Sequence, residues 1–317
     1  MAKITNEPRT TINEAGVSRE ARVEIMTLQF EPITIDRQQD YLELFRGCTQ
    51  KTSDYSFVNL WGWADEYGLM WAWDENLVWI KQTKPETVFW APVGPWKDMD
   101  WKKIFESKFS IPAEFIRIPD DLVSIWKNCG HSTMAIEEAR GHWDYLYSVE
   151  ELVELKGNRF HKKKNLLSQF IKKYKYDYIP LDQDMVDNAL SMQDDWCAWR
   201  DCEASETLSS ENRVIEKVLK AWHKLPDLKG GAVVVDGKIA AYTVAEKLSD
   251  DTLLIHFEKG NQDYKGAYQA INQMFLEHNM AGYKTVNREQ DLDDEGLRKA
   301  KLSYNPVSFL KKYKIRT

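Results

Sequence analysis

Two short stretches near the carboxyl end of this 317-residue chain gather residue types suited to acid–base and anion-binding chemistry. HFEKGNQDYKG closes a strand-like run with Glu258, Lys259 and Asn261, and VNREQD closes another with Asn287, Arg288, Glu289 and Asp291. A carboxylate at Glu258 could take a proton from an amine or hydroxyl nucleophile, or pair with Lys259 or Arg288. Arg288 could hold a phosphate or carboxylate by a two-pronged contact, or bridge strand and helix through Glu289 or Asp291. Tyr304 could pack beside Pro306. Arg298 and Lys301 lie three apart on one helical face and could both meet a ligand, although a solvated face explains them as easily. There is no Ser-His-Asp or Cys-His spacing, so covalent catalysis has no support. The chemistry expected is direct, with positioning and charge stabilisation as its main contributions.

A second feature is electrostatic. Between Glu154 and Asp177 the chain carries Lys156, Arg159, Lys162, Lys163, Lys164, Lys172, Lys173 and Lys175 with no acidic residue, whereas its formal net charge is −7. Phe160, Leu167, Phe170, Ile171 and Tyr174 recur every three or four positions, which predicts a helix. At about 100° per residue, Lys163 falls inside the apolar arc and Lys164 at its edge, next to Asn165, while Lys162, Lys172 and Lys173 point away. A lysine aimed at a core is costly unless it is paired or lines a wet cavity. Lys163 is therefore either an ion-pair member or a charge offered to a bound anion.

The elements that must position these groups follow from patterning. LMWAWD, NLVWIKQT and TVFWAPV read as strands, WKDMDWKKIFESKF and PDDLVSIWKNCG as helices, and EFIRIP and HSTMAIEEA as further strands. After the basic segment, taken as one connecting helix around 150–175, come YDYIPL, two helices, the hairpin GGAVVVDGKIAAYTVAEKL with Asp236-Gly237 at its turn, and TLLIHFEK. A helix over 264–280, the strand KTVNRE, a helix DEGLRKAKLSY and one last strand PVSFLKKYKI complete the chain. The order predicts an α/β protein of two tandem domains, with residues 1–27 loosely attached, a first domain over 28–148, and the basic helix with a second domain over 149–317.

Composition narrows the class. No run approaches the roughly 20 apolar residues that span a bilayer, and the amino terminus lacks an apolar signal region, so a cytoplasmic protein is expected. Cys48, Cys129, Cys197 and Cys202 form no CxxC pair, so neither a disulfide framework nor a zinc site is expected, and the histidine spacing predicts no metal. The net charge argues against indiscriminate nucleic-acid or anionic-membrane binding but allows a local phosphate grip. Of the 13 tryptophans, Trp61, Trp63, Trp71, Trp73, Trp79, Trp90, Trp96 and Trp101 crowd one region, read as an aromatic core or, alternatively, a groove for an apolar ligand.

The order of the second half resembles the GNAT acyltransferase fold, in which two parallel strands splay apart around an acyl donor; here they would be 252–259 and 284–289, and the resemblance implies that Tyr304 protonates the leaving group. YLYSVEELVELKGNRFHKKKNLLSQF, HFEKGNQDYKGAYQAINQMF, NREQDLDDEGLRKAKLSYNP and SDYSFVNLWGW together resemble the phosphatidylglycerol lysyltransferase carboxyl-terminal domain family, over about Leu28 to Ile315. The resemblance implies tandem GNAT-like domains and transfer of an aminoacyl group from aminoacyl-tRNA to a lipid headgroup or small amine or hydroxyl acceptor. It allows a peripheral position at a membrane surface. No tightly bound cofactor is expected. An acyl-coenzyme A donor would need the loop NQDYKGAYQ, through Gln262, Lys265 and Gly266, to hold a pyrophosphate; its glycine is displaced by one residue and Asp263 opposes the charge. A coenzyme A-dependent N-acyltransferase with a degenerate loop, and a non-catalytic ligand-binding module, remain alternatives.

Overall fold

The structure is a computed structural model that describes residues 28–109, 113–129, 134–225 and 227–317. The expected loose segment 1–27 lies outside the described residues. In chain order the strands are β1 (Glu31–Pro32), β2 (Met70–Asp74), β3 (Leu77–Gln82), β4 (Val88–Trp90), β5 (Glu114–Pro119), β6 (Ala135–Glu138) and β7 (Asp144–Ser148). They continue as β8 (Tyr176–Pro180), β9 (Leu228–Val235), β10 (Lys238–Lys247), β11 (Thr252–Gly260), β12 (Thr285–Asn287), β13 (Ser308–Leu310) and β14 (Lys312–Arg316). Two seven-stranded mixed sheets result, ordered β1-β2-β3-β4-β5-β14-β6 and β13-β7-β12-β11-β10-β9-β8. This is the expected α/β class with one mixed sheet in each half, flanked by helices.

Sheet membership cuts across the expected boundary at residue 148. β7 belongs to the second sheet, between β12 and β13. The final strand-like run is two strands: β13 stays in the second sheet, while β14 crosses to the first and lies between β5 and β6. Alternation along PVSFLKKYKI reads as one strand because nothing in the pattern marks a change of sheet.

The expected helix over 150–175 is also two, Val149–Glu154 and His161–Lys173. Between them Leu155 and Gly157 adopt φ of 47° and 85°, left-handed values that end a helix. In the second of these helices Leu167 and Phe170 are buried, but Ile171, at the edge of the apolar arc, is 44% exposed. The tryptophan-rich region is largely an aromatic core: Trp71, Trp79, Trp96 and Trp126 are fully buried, with Trp101, Phe105 and Phe115 packed edge-on around Trp126. One cysteine expectation fails. Cys197 and Cys202 form a disulfide, because Asp201 in a left-handed conformation ends the helix Val186–Arg200 and folds the chain back.

Candidate active site

The site is built where the second sheet opens. β11 and β12 are parallel and pair only from Thr252–Leu254 to Thr285–Asn287, after which β11 runs on to Gly260 without β12 beside it. A register shift against β10, between Val244 and Ala245, leaves His256 as an extra residue on β11, and such a bulge re-aims the side chains that follow. Leu254 and Phe257 consequently join one hydrophobic cluster, and Leu253 and Ile255 the other. Across the gap, side chains replace the missing backbone bonds. Arg288 Nη2 donates to Glu258 Oε1 at 2.7 Å on one face, and His256 Nδ1 meets Glu289 Oε1 at 3.1 Å.

The Arg288 face gathers several of the expected site residues. Asn272, from the helix Ala267–Asn279, donates to the other Glu258 oxygen at 3.0 Å. The Arg288 guanidinium lies 4.9 Å from the Tyr304 ring centre and 5.8 Å from that of Tyr147. Burial opposes its charge, but Glu258 and the two tyrosines raise its pKa overall. Its Nη1 is buried and, although the Tyr304 hydroxyl is near enough to bear on its charge, no group meets it in hydrogen-bond geometry. Lys163, from the helix His161–Lys173, places Nζ 3.9 Å from the Tyr304 ring centre. Burial, reinforced by Arg288 and only partly offset by Glu258, lowers its pKa to about 8. Tyr304 is 7% exposed, and burial pushes its hydroxyl up to about 12, so it holds its proton at neutral pH. Gln269 Nε2 donates to that hydroxyl at 3.0 Å, which leaves the tyrosine proton to be given elsewhere. A carboxylate, a neutral phenol, a half-buried ammonium and an arginine with a spare donor thus converge. Such a set can deprotonate a nucleophile, stabilise an oxyanion and protonate a leaving oxygen.

Against known proteins, residues 45–316 match the family described as phosphatidylglycerol lysyltransferase, C-terminal. The chain belongs to this family. A structure from Bacteroides thetaiotaomicron, of a conserved protein of unknown function, is 29% identical with a TM-score of 0.82, covering 91% of this chain and 99% of that one. The C-terminal domain of a putative lysylphosphatidylglycerol synthetase from Agrobacterium fabrum shares the fold at 16% identity and a TM-score of 0.61, covering 89% and 90%. L-PGS from Bacillus licheniformis does so at 12% and 0.63, covering 90% and 92%. A curated relative, an uncharacterized protein of Mycoplasmoides gallisepticum, is 26% identical over 202 residues, 62% of this chain and 64% of that protein, so the match spans less than two thirds of the relative. The fold, two mixed sheets flanked by helices, is the one shared with these lysylphosphatidylglycerol synthetase domains.

Within this lysyltransferase-type fold the other expected site residues have different surroundings. Arg298 binds both Asp291 oxygens, at 2.9 and 2.8 Å, and Asp293. Lys301 is held by the backbone carbonyls of Arg288 and Gln290, with its pKa lowered to about 8 chiefly by burial. It ties down the segment that carries Arg288. Lys259 pairs with Glu211 at 2.8 Å and sits over Trp196. Asn287 donates to Asp144 at 2.9 Å. Asn261 accepts from the Asp263 amide within its own loop. Lys164, Asn165, Gln262 and Lys265 are exposed. Gly266 caps the helix Ala267–Asn279 with φ 93°, and a Cβ there would come within 2.4 Å of the Leu166 carbonyl oxygen. The start of that helix is thus covered by the helix His161–Lys173. Among the described residues no cluster of three or more His, Cys, Asp or Glu converges as a metal site requires.

Sequence reasoning missed the groups that hold the site from behind. Asn59 Nδ2 donates to Glu289 Oε1 at 2.8 Å, and Gln290 Nε2 to Ser53 Oγ at 2.8 Å and Asp54 Oδ1 at 2.9 Å. The signal was present in SDYSFVNLWGW, where Ser53, Asp54, Ser56 and Asn59 stand among aromatic and aliphatic residues.

Proposed function

We propose that this chain transfers an aminoacyl group directly from aminoacyl-tRNA to a hydroxyl or amine acceptor, a lipid headgroup or a small molecule. The observation that carries the reading is the unpartnered Arg288 Nη1, buried beside Lys163, Tyr304 and Glu258 at the opening of the second sheet. Glu258 takes the acceptor proton as the acceptor oxygen or nitrogen attacks the ester carbonyl. The carbonyl oxygen gathers negative charge towards Arg288 Nη1 and the Lys163 ammonium. As the tetrahedral centre collapses, the bond to the ribose oxygen breaks and Tyr304 gives that oxygen its proton. Glu258 then returns its proton to the tyrosine, leaving the new ester or amide and a free tRNA hydroxyl. Tyr304 and Lys163 cover the cluster, so substrate entry requires Lys163 to swing aside.

Acyl-coenzyme A fits less well, since the Leu166 contact at Gly266 occupies the helix start that a pyrophosphate would use. No tightly bound cofactor is required. With a lipid acceptor the protein works at a membrane surface, and no helix among the described residues is long and apolar enough to cross the bilayer. The test supplies radiolabelled lysyl-tRNA with phosphatidylglycerol vesicles or soluble amines, and separately acetyl-coenzyme A with the same acceptors. Label leaving the tRNA for an acceptor, lost in Arg288→Met and Glu258→Gln, is the expected result. Transfer from acetyl-coenzyme A alone would replace this reading with an N-acyltransferase. Ligand binding without turnover of either donor would replace it with a binding module.

A further inference from the structure

We infer that the solvent face of the helix His161–Lys173 is an RNA-docking surface that lies along the phosphate backbone of the donor next to its reactive end. The surface rests on the aminoacyl-tRNA reading of the site. Leu167 and Phe170 turn this helix towards the second core. At about 100° per residue, Lys162, Lys172 and Lys173 fall within an arc about 100° wide on the opposite side. All three are exposed, as are Lys164 and Lys175 at the flanks, and among the described residues none of the five has an ion-pair partner. Eleven residues separate Lys162 from Lys173, about 16 Å along a helix rising about 1.5 Å per residue. No acidic residue interrupts the segment from Leu155 to Tyr176, in a chain whose net charge is −7. The segment is thus a local run of positive charge in an acidic chain.

Two further observations select RNA. Lys163 belongs to the same helix and reaches the Tyr304 ring, which joins the lysine-bearing helix to the Arg288 site. The rest of the exposed face is polar, His161, Asn165, Lys172 and Lys173, with Ile171 its one large apolar residue at 44% exposure. A bilayer-docking helix sinks a broad apolar face between the headgroups, and this one lacks it.

The experiment measures binding of an uncharged RNA hairpin with a tRNA-like acceptor stem by fluorescence anisotropy, from 50 to 200 mM salt. It uses the wild type, Lys162→Gln/Lys172→Gln/Lys173→Gln, and a control triple, Lys97→Gln/Lys102→Gln/Lys103→Gln, on exposed lysines of the first half. The surface predicts steep salt dependence, a slope smaller by about 2 to 3 in the helix triple, at least tenfold weaker binding in it, and an unchanged control. Equal binding by both triples, or no RNA binding at 50 mM salt, overturns the surface. Sedimentation with phosphatidylglycerol-containing vesicles is run alongside. Vesicle binding that the helix triple alone loses, without RNA binding, also overturns it in favour of a membrane. Transfer from aminoacyl-tRNA at an unchanged rate in the helix triple would sink the surface and leave the site reading standing. RNA binding that depends on these lysines, with transfer only from acyl-coenzyme A, would do the reverse.

Discussion

Arg288, Glu258, Lys163 and Tyr304 come from four separate stretches of the chain, and two are held at a cost, Arg288 with a buried unsatisfied donor and Lys163 with a buried charge. Lys163 is the clearest case. Its pKa lies near 8 rather than the usual lysine value because burial and Arg288 oppose its charge. A lowered lysine pKa means that the folded state binds fewer protons between pH 8 and about 10.5. The stability penalty is therefore full below pH 8 and is relieved as pH rises towards the unfolded value. Lys163→Met should melt no earlier than the wild type at pH 7 while transfer falls at least a hundredfold, and earlier melting of the variant would assign the lysine to structure. Where Lys163 must be charged to hold an anion, binding should weaken as pH rises through about 8, and a titration of binding across pH 7–9 reads this directly. Glu258→Gln keeps a hydrogen-bond acceptor for Arg288 but removes the carboxylate that the proposed mechanism uses as base. The expected loss is in kcat, on the order of 10²- to 10⁴-fold, with little change in KM.

At the scale of elements, the site depends on two contacts that hold strand ends and helix starts in place. The first is the approach of Gly266 to Leu166. In Gly266→Ala a Cβ placed 2.4 Å from a backbone oxygen, at φ 93°, must push the helix His161–Lys173 outwards. Destabilisation of about 1–3 kcal/mol should accompany weaker anion binding through the displaced Lys163, read by urea unfolding and ligand titration. The second is His256, between Glu246 at 3.0 Å and Glu289 at 3.1 Å. Burial alone would lower its pKa, but the two carboxylates outweigh burial and raise it to about 9. A raised histidine pKa stabilises fully below the unfolded value near 6.5, and the contribution is lost as pH rises through about 9. Melting temperature should fall across that window, and His256→Gln should flatten the dependence. An unchanged profile in the variant would remove His256 as its source.

At the scale of the whole molecule, the two halves place an arginine at one matching position in different surroundings. In the first sheet β4 and β5 are the parallel pair, matched at Phe89–Trp90 and Phe115–Ile116. The residue following the last matched position is Arg117 there and Arg288 in the second sheet. Arg288 pairs with Glu258 and lies beside Lys163 and Tyr304, and each arginine keeps one buried nitrogen without a partner, Nη1 in Arg288 and Nε in Arg117. Arg117 is 7% exposed, pairs with Asp54 and lies 4.5 Å from the Trp90 ring centre, so the first opening is closed and serves as a joint. Asp54 also meets Lys312 of β14, whose Nζ lies 2.6 Å from Asp144 Oδ1 of β7. Burial works against the Asp54 charge, but Lys312 and Arg117 hold its pKa down at about 2. Lys312→Met would leave Asp54 and Asp144 buried with too little compensation, at a cost of roughly 3–5 kcal/mol, measurable by chemical denaturation. Deletion from Lys312 onwards removes a strand from inside the first sheet and should leave the protein unable to accumulate in soluble form.

Local physics made much of this readable. Helix periodicity placed Lys163 on the inner face of its helix, strand alternation and turn residues located the hairpin at Asp236-Gly237, and Glu258, Arg288 and Tyr304 stood out because polar groups collect at strand and helix ends. Such patterns depend only on neighbours within a few residues. The passage of β14 into the first sheet and the joint of Asp54, Arg117, Asp144 and Lys312 depend on partners 63 to 258 positions apart. Charges that meet only after folding leave no spacing in the chain, and from sequence each looks like an ordinary surface group. Only the tertiary structure could separate Arg298 and Lys301, consumed by Asp291 and by backbone carbonyls, from Arg288, whose Nη1 no such partner satisfies.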